Sequence, residues 1–414
     1  MILKDRQRVG RNWFKRSAKN LTLLVASVIA TLLLVEVVFF FCGISYSRRT
    51  RADYYRGNAG LPSAEWENTK EGQAHVKLNN EGFRDKKRVE QKSADTIRVA
   101  VLGDSYVHAD QVPVRQRFTE LLEESLNTSG AFGKSEVEVL NFGCSGYGTA
   151  QELMTLRHYV WKYDPDIVLL CFLPHNDIRN NYEPLEGDAS RPYFVLQEGE
   201  LVLDDSFRDT SGSNKSWLKK VGYEIIDRSR LAQLAYYVRR QLQDRKASSE
   251  RAIRSQKFTG SQDSSELGLD DYVFRAPDHA DWQSAWHVTE AIIKKMAIEV
   301  DERGVDFLVA TLTSGIQVHP DAKTRAGFCR QLEVSHLIYP DERIHELGER
   351  ERIHVVNLCH PFLALAEEKN IFLHGFANTK KGTGHWNADG NRLAAEILSS
   401  TIIELFAENF GASL

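Results

Sequence analysis

The hydrophobic pattern has two parts, one long apolar run and a later alternation of short apolar segments. The run from Leu21 to Ile44 holds a single charged residue, Glu36. At 1.5 Å per residue, a helix of this length would reach about 36 Å, enough to cross a hydrocarbon core of roughly 30 Å. The run therefore predicts a transmembrane anchor over residues 21–44.

Basic residues flank the run unequally. Seven precede it and four follow it: Lys4, Arg6, Arg8, Arg11, Lys15, Arg16 and Lys19, then Arg48, Arg49, Arg51 and Arg56. The bias favours a cytoplasmic segment 1–20 and places the rest of the chain outside the inner, cytoplasmic membrane, in the periplasm or at the cell surface. A cleaved signal peptide is the alternative, but the run is longer than a usual signal core and no small-x-small site follows Phe39–Phe41.

Glu36 is unusual inside this run, because an acidic group in hydrocarbon costs a few kcal/mol unless it is protonated, paired or near the interface. Two interpretations stay open. The residue either marks a helix partner or lies displaced toward the outer interface.

Beyond the run, short β-rich segments alternate with segments of helical apolar spacing. The predicted strands are Ile97–Leu102, Val137–Phe142, Ile167–Leu173, Phe307–Leu312 and Ile353–Leu358. The predicted helices include Phe118–Leu126, Ala150–Tyr163, Trp282–Val300 and Asn391–Phe406. This alternation predicts a three-layer α/β/α fold with a central parallel sheet.

The alternation breaks in two places, which sets the expected domain boundaries. Residues 45–91 read as a lead-in from the membrane, and residues 92–414 as the main domain. Within that domain, 183–277 reads as an insertion with a hairpin at 193–203, an amphipathic segment at 230–242 and a mobile loop at 246–271. Because the insertion follows Asn176-Asp177, it is expected to overhang the site to which those residues belong, either as a lid or platform or as a solvated decoration.

Net charge and cysteine positions narrow the class of protein. The 414 residues carry a formal net charge of -4, which gives no indication of nucleic-acid binding. Five cysteines, at 42, 144, 171, 329 and 359, are too scattered for a disulfide framework or a zinc finger.

Candidate chemistry begins at Gly103-Asp104-Ser105, directly after the first predicted strand. A serine on a strand-to-helix turn is exposed at the carboxyl edge of a parallel sheet, where open α/β folds place their ligands. The tripeptide alone would be an ordinary turn. Three further segments follow in order: Ser145-Gly146, Asn176-Asp177 and His385-Trp386-Asn387.

With these four segments the chain resembles bacterial membrane-anchored members of the SGNH/GDSL hydrolase superfamily, over roughly residues 78–182 and 282–406. The blocks are Val101–Tyr106, Asn141–Thr149, His175–Asp177 and Gly384–Gly390. The resemblance implies Ser105 as nucleophile and His385 as its base. It implies an oxyanion hole from the N–H groups of Ser105 and Gly146 and the amide of Asn176, and calls for no metal or organic cofactor.

The remaining polar residues near the blocks are given structural roles. Asp104 and Asp177 are expected to hydrogen-bond loop backbone. The histidines at 108, 175, 360 and 374 are interpreted as structural or surface residues.

One position departs from the family pattern. Relatives carry an Asp two or three residues before the catalytic His, where this chain has Gly382 and Thr383. Asp389 reads as a helix-start residue. Two hypotheses remain: a backbone carbonyl holds His385, or a carboxylate from elsewhere in the fold takes the acid position.

The expected function is that of a serine ester hydrolase acting through an acyl-enzyme. The predicted substrates are O-acyl esters, O-acetyl esters of envelope or extracellular polysaccharide first, then lipid or small acyl esters. An O-acyltransferase acting on glycans, or a catalytically weak or inactive glycan-binding envelope protein, is the alternative.

Overall fold

The computed structural model describes residues 2–210, 217–259 and 270–410. The chain divides into two compact units. The first comprises Met1–Arg48 with Lys215–Lys246, and the second comprises Arg49–Asn214 with Ala247–Leu414.

The described residues contain both short and long elements. The strands are β1 (Thr50–Asp53), β2 (Gly57–Gly60), β3 (Glu65–Asn68), β4 (Ala74–Lys77), β5 (Thr96–Gly103), β6 (Glu136–Asn141), β7 (Ile167–Phe172), β8 (Tyr193–Gln197), β9 (Glu200–Asp204), β10 (Asp306–Thr311) and β11 (His354–Asn357). The helices are α1 (Ile2–Phe41), α2 (Ser105–His108), α3 (Phe118–Ser129), α4 (Thr149–Thr155), α5 (Pro174–Asn180), α6 (Glu183–Glu186), α7 (Phe207–Thr210), α8 (Trp217–Arg228), α9 (Arg230–Thr259), α10 (Ala280–Asp301), α11 (Ala322–Leu332), α12 (Tyr339–Glu351), α13 (Cys359–Lys369) and α14 (Ala388–Phe406).

The second unit is built on a five-stranded sheet of order β11-β10-β7-β5-β6. All four neighbouring pairs are parallel. The five strands are those predicted from the sequence, so the expected α/β/α fold class is confirmed. After β5 the chain adds β6 on one side and then β7 on the other, and such a reversal is where open α/β sheets bind ligands.

Successive residues of each central strand serve opposite faces of the sheet. In β5, Val99 and Val101 pack with α3, α13 and α14, whereas Ala100 and Leu102 pack with α4 and α10. Every residue of β7 is buried. A strand covered on both faces needs a continuous apolar run instead of alternation, which is why the central strands were readable from sequence.

Most predicted helices are confirmed. The stretch expected as one helix at Ala150–Tyr163 is divided, because α4 ends at Thr155 and continues as a π turn at Leu156–Val160 and a 3₁₀ turn at Trp161–Tyr163. Residues 45–91, read as a lead-in, contain two antiparallel hairpins, β1/β2 and β3/β4. From Arg49 onward they belong to the same compact unit as the sheet.

The insertion contains the expected hairpin, β8 and β9, joined at Glu198 and Gly199 with φ of +52° and +88°. Positive φ at both positions is the geometry of a two-residue hairpin turn. The loop expected from Lys246 is wrong as far as Thr259, since α9 continues to that residue. Its Ala, Glu, Arg, Lys and Gln residues favour helix even though apolar residues are few. Residues 260–269 of the expected loop lie outside the described residues.

The first unit contains α1. One helix segment in the described part of the chain, Arg16–Phe41, is long and apolar enough to cross a membrane, with a mean hydropathy of 2.7 over an 18-residue window. A signal sequence near the start of a chain satisfies the same criterion of length and composition.

Candidate active site

Ser105 is the first residue of α2, directly after β5 ends at Gly103. The Asp104 carboxylate accepts a hydrogen bond from the Tyr106 N–H at 2.9 Å, which fixes the turn. A Cβ on Gly103 would lie 2.3 Å from Val107 Cγ2 and 3.1 Å from the Cys171 carbonyl oxygen. The glycine therefore allows the turn to fold tightly against β7.

The second block lies against this turn. The N–H of Cys144 donates to the Gly103 carbonyl at 3.1 Å, and the Asn141 amide donates to the Val107 carbonyl at 2.7 Å. Gly146 follows in an exposed turn with φ of +80°, where a side chain would be strained. The Ser145-Gly146 turn thus follows β6 at the edge where Ser105 follows β5.

The third block begins α5, after β7. Asn176 donates from its side-chain amide to Asp104 Oδ2 at 2.9 Å, so the first and third blocks are joined directly. Asp177 Oδ2 accepts from the Leu173 N–H at 2.8 Å. Asp104 and Asp177 therefore both accept hydrogen bonds from backbone N–H groups, as expected.

The last block runs antiparallel to residues 373–375. His374 and Trp386 form an isolated bridge, and the Gly375 N–H donates to the His385 carbonyl at 3.1 Å. Asn387 then caps α14 by accepting from the N–H groups of Asp389 and Gly390. Asp389 is therefore a helix-start residue, as predicted.

His385 lies beside Ser105. Its Nε2 is 2.8 Å from Ser105 Oγ, a hydrogen-bond distance between the predicted base and the predicted nucleophile. The Tyr106 ring packs against the imidazole with centroids 4.8 Å apart, and its hydroxyl donates to the Gly384 carbonyl at 3.1 Å. Tyr106 of the first block thus contacts the histidine loop, which comprises residues 370–387 between α13 and α14.

Sequence reasoning missed Glu71, which lies in the β3–β4 turn. Its Oε2 is 2.7 Å from His385 Nδ1, and its Oε1 accepts the His385 backbone N–H at 2.7 Å. Because Nδ1–H donates to Glu71, Nε2 is left to accept the Ser105 proton. Of the two hypotheses for the missing acid, the geometry agrees with a carboxylate from elsewhere in the fold. No local signal connects Glu71 to a histidine 314 residues away.

The turn that carries Glu71 is itself held firmly. Asn68 donates from its amide to the carbonyls of Glu71 and Asp110 at 2.8 and 2.9 Å. Asn378 accepts from the Gly72 N–H and donates to the carbonyls of Thr69 and Gly72, each at 3.0 Å. These bonds connect the turn to the histidine loop.

Gly384 is required by this arrangement. Its φ is +74°, and a Cβ there would lie 2.1 Å from Glu71 Oε1. Any side chain would displace the carboxylate from His385. The residue before the histidine is therefore specified by a partner distant in sequence.

The charges of Glu71 and His385 stabilise each other. Burial acts to lower the pKa of His385, but the hydrogen bond and the charge of Glu71 outweigh it and raise the pKa above the ordinary 6.5. Burial acts to raise the pKa of Glu71, and the hydrogen bond and charge of His385 outweigh that and lower it. The pair therefore favours an ionised carboxylate and a histidine that readily accepts a proton.

Three further carboxyl groups lie buried behind the site, those of Asp104, Glu152 and Asp177. Burial raises the pKa of all three, and their mutual repulsion raises the pKa values of Glu152 and Asp177 further. Both oxygens of Glu152 lack a hydrogen-bond partner within the described residues. A neutral Glu152 is consistent with that environment.

The other histidines are placed as expected. His360 is exposed, and burial lowers the pKa of His108 to about 4, of His175 to about 3 and of His374 to about 4. His374 Nε2 lies 2.9 Å from Thr313 Oγ1 and its Nδ1 lies 2.8 Å from the Gly384 carbonyl. A neutral ring there supports the loop before His385.

A residue of the insertion contacts the second block. Arg191, which is buried, donates from Nη2 to the Gly146 carbonyl at 2.8 Å. The segment before β8 thus fixes the peptide of a residue predicted for the oxyanion hole.

No protein-family model matches the sequence, and no curated protein matches it. Among solved structures, an acetyl xylan esterase is 14% identical, with a TM-score of 0.35 over 74% of this chain and 100% of that one. A member of the lipolytic G-D-S-L family from Veillonella parvula is 12% identical, with a TM-score of 0.35 over 75% and 98%. TesA is 13% identical, with a TM-score of 0.36 over 74% and 97%. Likenesses at these values say nothing about the reaction of this chain.

The first three blocks follow the carboxyl ends of β5, β6 and β7, and Ser105 Oγ lies 2.8 Å from His385 Nε2. The chain resembles the SGNH/GDSL hydrolases in its motifs.

Proposed function

We propose that this chain is a membrane-anchored, extracytoplasmic serine hydrolase that cleaves O-acyl esters through an acyl-enzyme. The observation that carries the proposal is the continuous hydrogen-bonded series from Glu71 through His385 to Ser105. A nucleophile, a base and an orienting carboxylate in contact are the arrangement that activates a serine hydroxyl.

In the proposed reaction, Ser105 Oγ attacks the ester carbonyl carbon while its proton passes to His385 Nε2. The developing oxyanion accepts hydrogen bonds from the N–H groups of Ser105 and Gly146 and from the Asn176 amide. Collapse breaks the bond to the alcohol, which leaves with the proton from His385. Water then attacks the acyl-enzyme by the same sequence and releases the carboxylic acid and free Ser105.

The roles proposed for neighbouring groups follow from their contacts. Asp104 accepts one N–H of the Asn176 amide, so the other N–H can be directed toward substrate. Glu71 holds the Nδ1–H tautomer of His385 and stabilises the imidazolium that forms in each step.

We infer that the substrates are O-acetylated envelope or extracellular polysaccharides, with lipid or small acyl esters next. The support is the predicted tether, since a domain held on the outer side of the membrane by 21–44 meets such polymers. Transfer of the acyl group to a sugar hydroxyl would use the same acyl-enzyme. The contact of Glu71 with His385 weighs against an inactive glycan-binding role, because the acid position is filled.

The test is fluorophosphonate labelling of the full-length protein with Ser105→Ala and Ser400→Ala beside it. Ser400 lies exposed on α14 and is the control. Wild type and Ser400→Ala should label, and Ser105→Ala should not and should lose ester cleavage by a factor on the order of 10⁶. An unlabelled wild type would favour the glycan-binding alternative. An ester chain-length series and an O-acetylated polysaccharide, each with and without acceptor sugar, separate hydrolysis from transfer.

A further inference from the structure

Two helices of the first unit, α8 and the Arg230–Lys246 part of α9, expose apolar side chains in stripes. On α8, Trp217 (70% exposed), Val221 and Ile225 recur every four residues. On α9, Val238 and Leu242 (60% exposed) do the same. Residues four apart lie on one face of a helix, so each helix presents an apolar stripe to its surroundings.

The stripe on α9 has basic borders. At 100° per residue, Ala235, Val238 and Leu242 lie within about 60° of one another around the helix. By the same geometry Arg245 borders one side, and Arg239 and Lys246 border the other; all three are exposed. Arginine and lysine can lay their stems along an apolar surface while their charges reach polar headgroups. This is the pattern of a helix that lies in a membrane interface.

The start of α9 is attached to α1 through Glu36. The Glu36 carboxylate accepts the backbone N–H of Arg230, the N–H of Leu231 at 3.1 Å and the hydroxyl of Ser229 at 3.0 Å. It therefore caps the helix and satisfies N–H groups that otherwise lack partners. A helix partner, one of the two interpretations of this residue from sequence, is therefore observed.

The contact between Glu36 and α9 also determines how deep the start of α9 lies in a membrane that α1 crosses. Glu36 lies five residues before the end of α1 at Phe41, which corresponds to about 7.5 Å along the helix. Interfacial helices bury their apolar face roughly 5–10 Å into the boundary between headgroups and acyl chains. With the bilayer surface at the end of α1, the start of α9 lies at the depth of that boundary.

Three more contacts fix the same region. Arg48 pairs with Asp227 through two hydrogen bonds of 2.8 and 2.7 Å. Gln233 Oε1 accepts from the Ser45 hydroxyl at 3.0 Å and the Tyr46 N–H at 3.2 Å. The segment that follows α1 is therefore bound along the first turns of α9 and the end of α8.

We propose that α8 and the Arg230–Lys246 part of α9 lie in the headgroup region of the bilayer that α1 crosses. The apolar stripes enter the acyl boundary, and Arg239, Arg245 and Lys246 face anionic phospholipid headgroups. The proposal rests on the membrane anchor of the proposed function. The charge of the borders and the continuity with α1 identify a lipid surface as the occupant.

The test uses full-length protein in vesicles of phosphatidylcholine and phosphatidylglycerol, in a Cys42→Ser, Cys329→Ser background. Single spin labels are placed at Val238→Cys and Leu242→Cys, and their collision rates with oxygen and with a nickel chelate are measured. Arg240→Cys, on the opposite side of α9, is the matched control. Val37→Cys, within the apolar run of α1, reports the anchor itself.

The ratio of oxygen to nickel collisions at Val238 and Leu242 should exceed that at Arg240 several-fold and should rise with phosphatidylglycerol content. If the labels at Val238 and Leu242 collide mainly with nickel while the label at Val37 collides mainly with oxygen, the interfacial helix is overturned and the anchor stands. Nickel accessibility at Val37 would overturn the anchor and the interfacial helix together. Low collision rates with both reagents at Leu242 would mean that protein covers the stripe, and would also overturn the proposal.

Discussion

The Glu71 carboxylate binds His385 at two points, its backbone N–H and its imidazole Nδ1, each at 2.7 Å. The first bond fixes the peptide of the histidine loop, and the second fixes the ring on that peptide. Because Nε2 then faces Ser105 Oγ at 2.8 Å, one carboxylate positions both the backbone and the side chain of the proposed base.

Replacing Glu71 with Gln should lower kcat by a factor on the order of 10⁴, because an amide can hold the wrong tautomer of His385 and cannot stabilise the imidazolium. Steady-state kinetics on a small acyl ester measure the effect. Glu67→Gln is the matched control, since Glu67 lies on the same hairpin and pairs with His75 at the surface. Equal activity of Glu71→Gln and wild type would remove Glu71 from the proposed triad. Thr383→Asp should bring no gain, because the acceptor position is already occupied.

The pH dependence of activity should reflect the interaction between Glu71 and His385. The base must be neutral, and Glu71 raises the pKa of His385 above 6.5 by stabilising the protonated form. Activity is therefore lost as pH falls through that raised pKa. A profile of kcat/KM should have its acidic limb above 6.5 in wild type and at lower pH in Glu71→Gln. An acidic limb unmoved by the substitution would show that another group titrates.

Gly384→Ala should lower kcat by more than its loss of stability explains. Both Gly384 and Gly130 have positive φ, +74° and +71°, so alanine at either position costs about 1–2 kcal/mol of stability. Only at Gly384 does the new Cβ meet the Glu71 carboxylate, whereas nothing lies within 4 Å of it at Gly130. Displacement of the acid by about 1 Å should lower kcat on the order of 10²-fold. Thermal unfolding and kinetics on both variants separate the two effects, and equal kcat values would contradict the clash.

Asn176→Ala should lower kcat by a factor on the order of 10²–10³ with little change in KM, since an oxyanion donor acts on the transition state. Asn409→Ala, exposed and distant in sequence from the four blocks, is the control. An effect on KM alone would make Asn176 a substrate-binding residue instead.

The orientation of the chain can be tested with fusions after Leu414. The basic segment before the apolar run predicts that alkaline phosphatase fused there is active in intact cells. An inactive phosphatase together with an active cytoplasmic reporter at the same position would reverse the proposed topology. Release of a shortened form into the soluble fraction would indicate a cleaved signal peptide.

Much of the fold could be predicted because its signals are local. The five central strands are continuous apolar runs, buried on both faces, and such runs are readable without knowing their neighbours. The helix to Thr259 was not foreseen, because its polar composition resembles that of a loop while its residues favour helix.

The sequence by itself determined the order of Ser105, Gly146, Asn176 and His385, since each follows a short pattern placed at a strand end or helix start. Only the tertiary structure decided what completes the site. Glu71 reaches His385 because the β3–β4 turn and the histidine loop are joined through Asn378, over a separation of 314 residues. Glu36 likewise meets the N–H groups of Arg230 and Leu231 only after the chain has folded. Contacts between distant segments depend on packing, and no spacing along the chain encodes them.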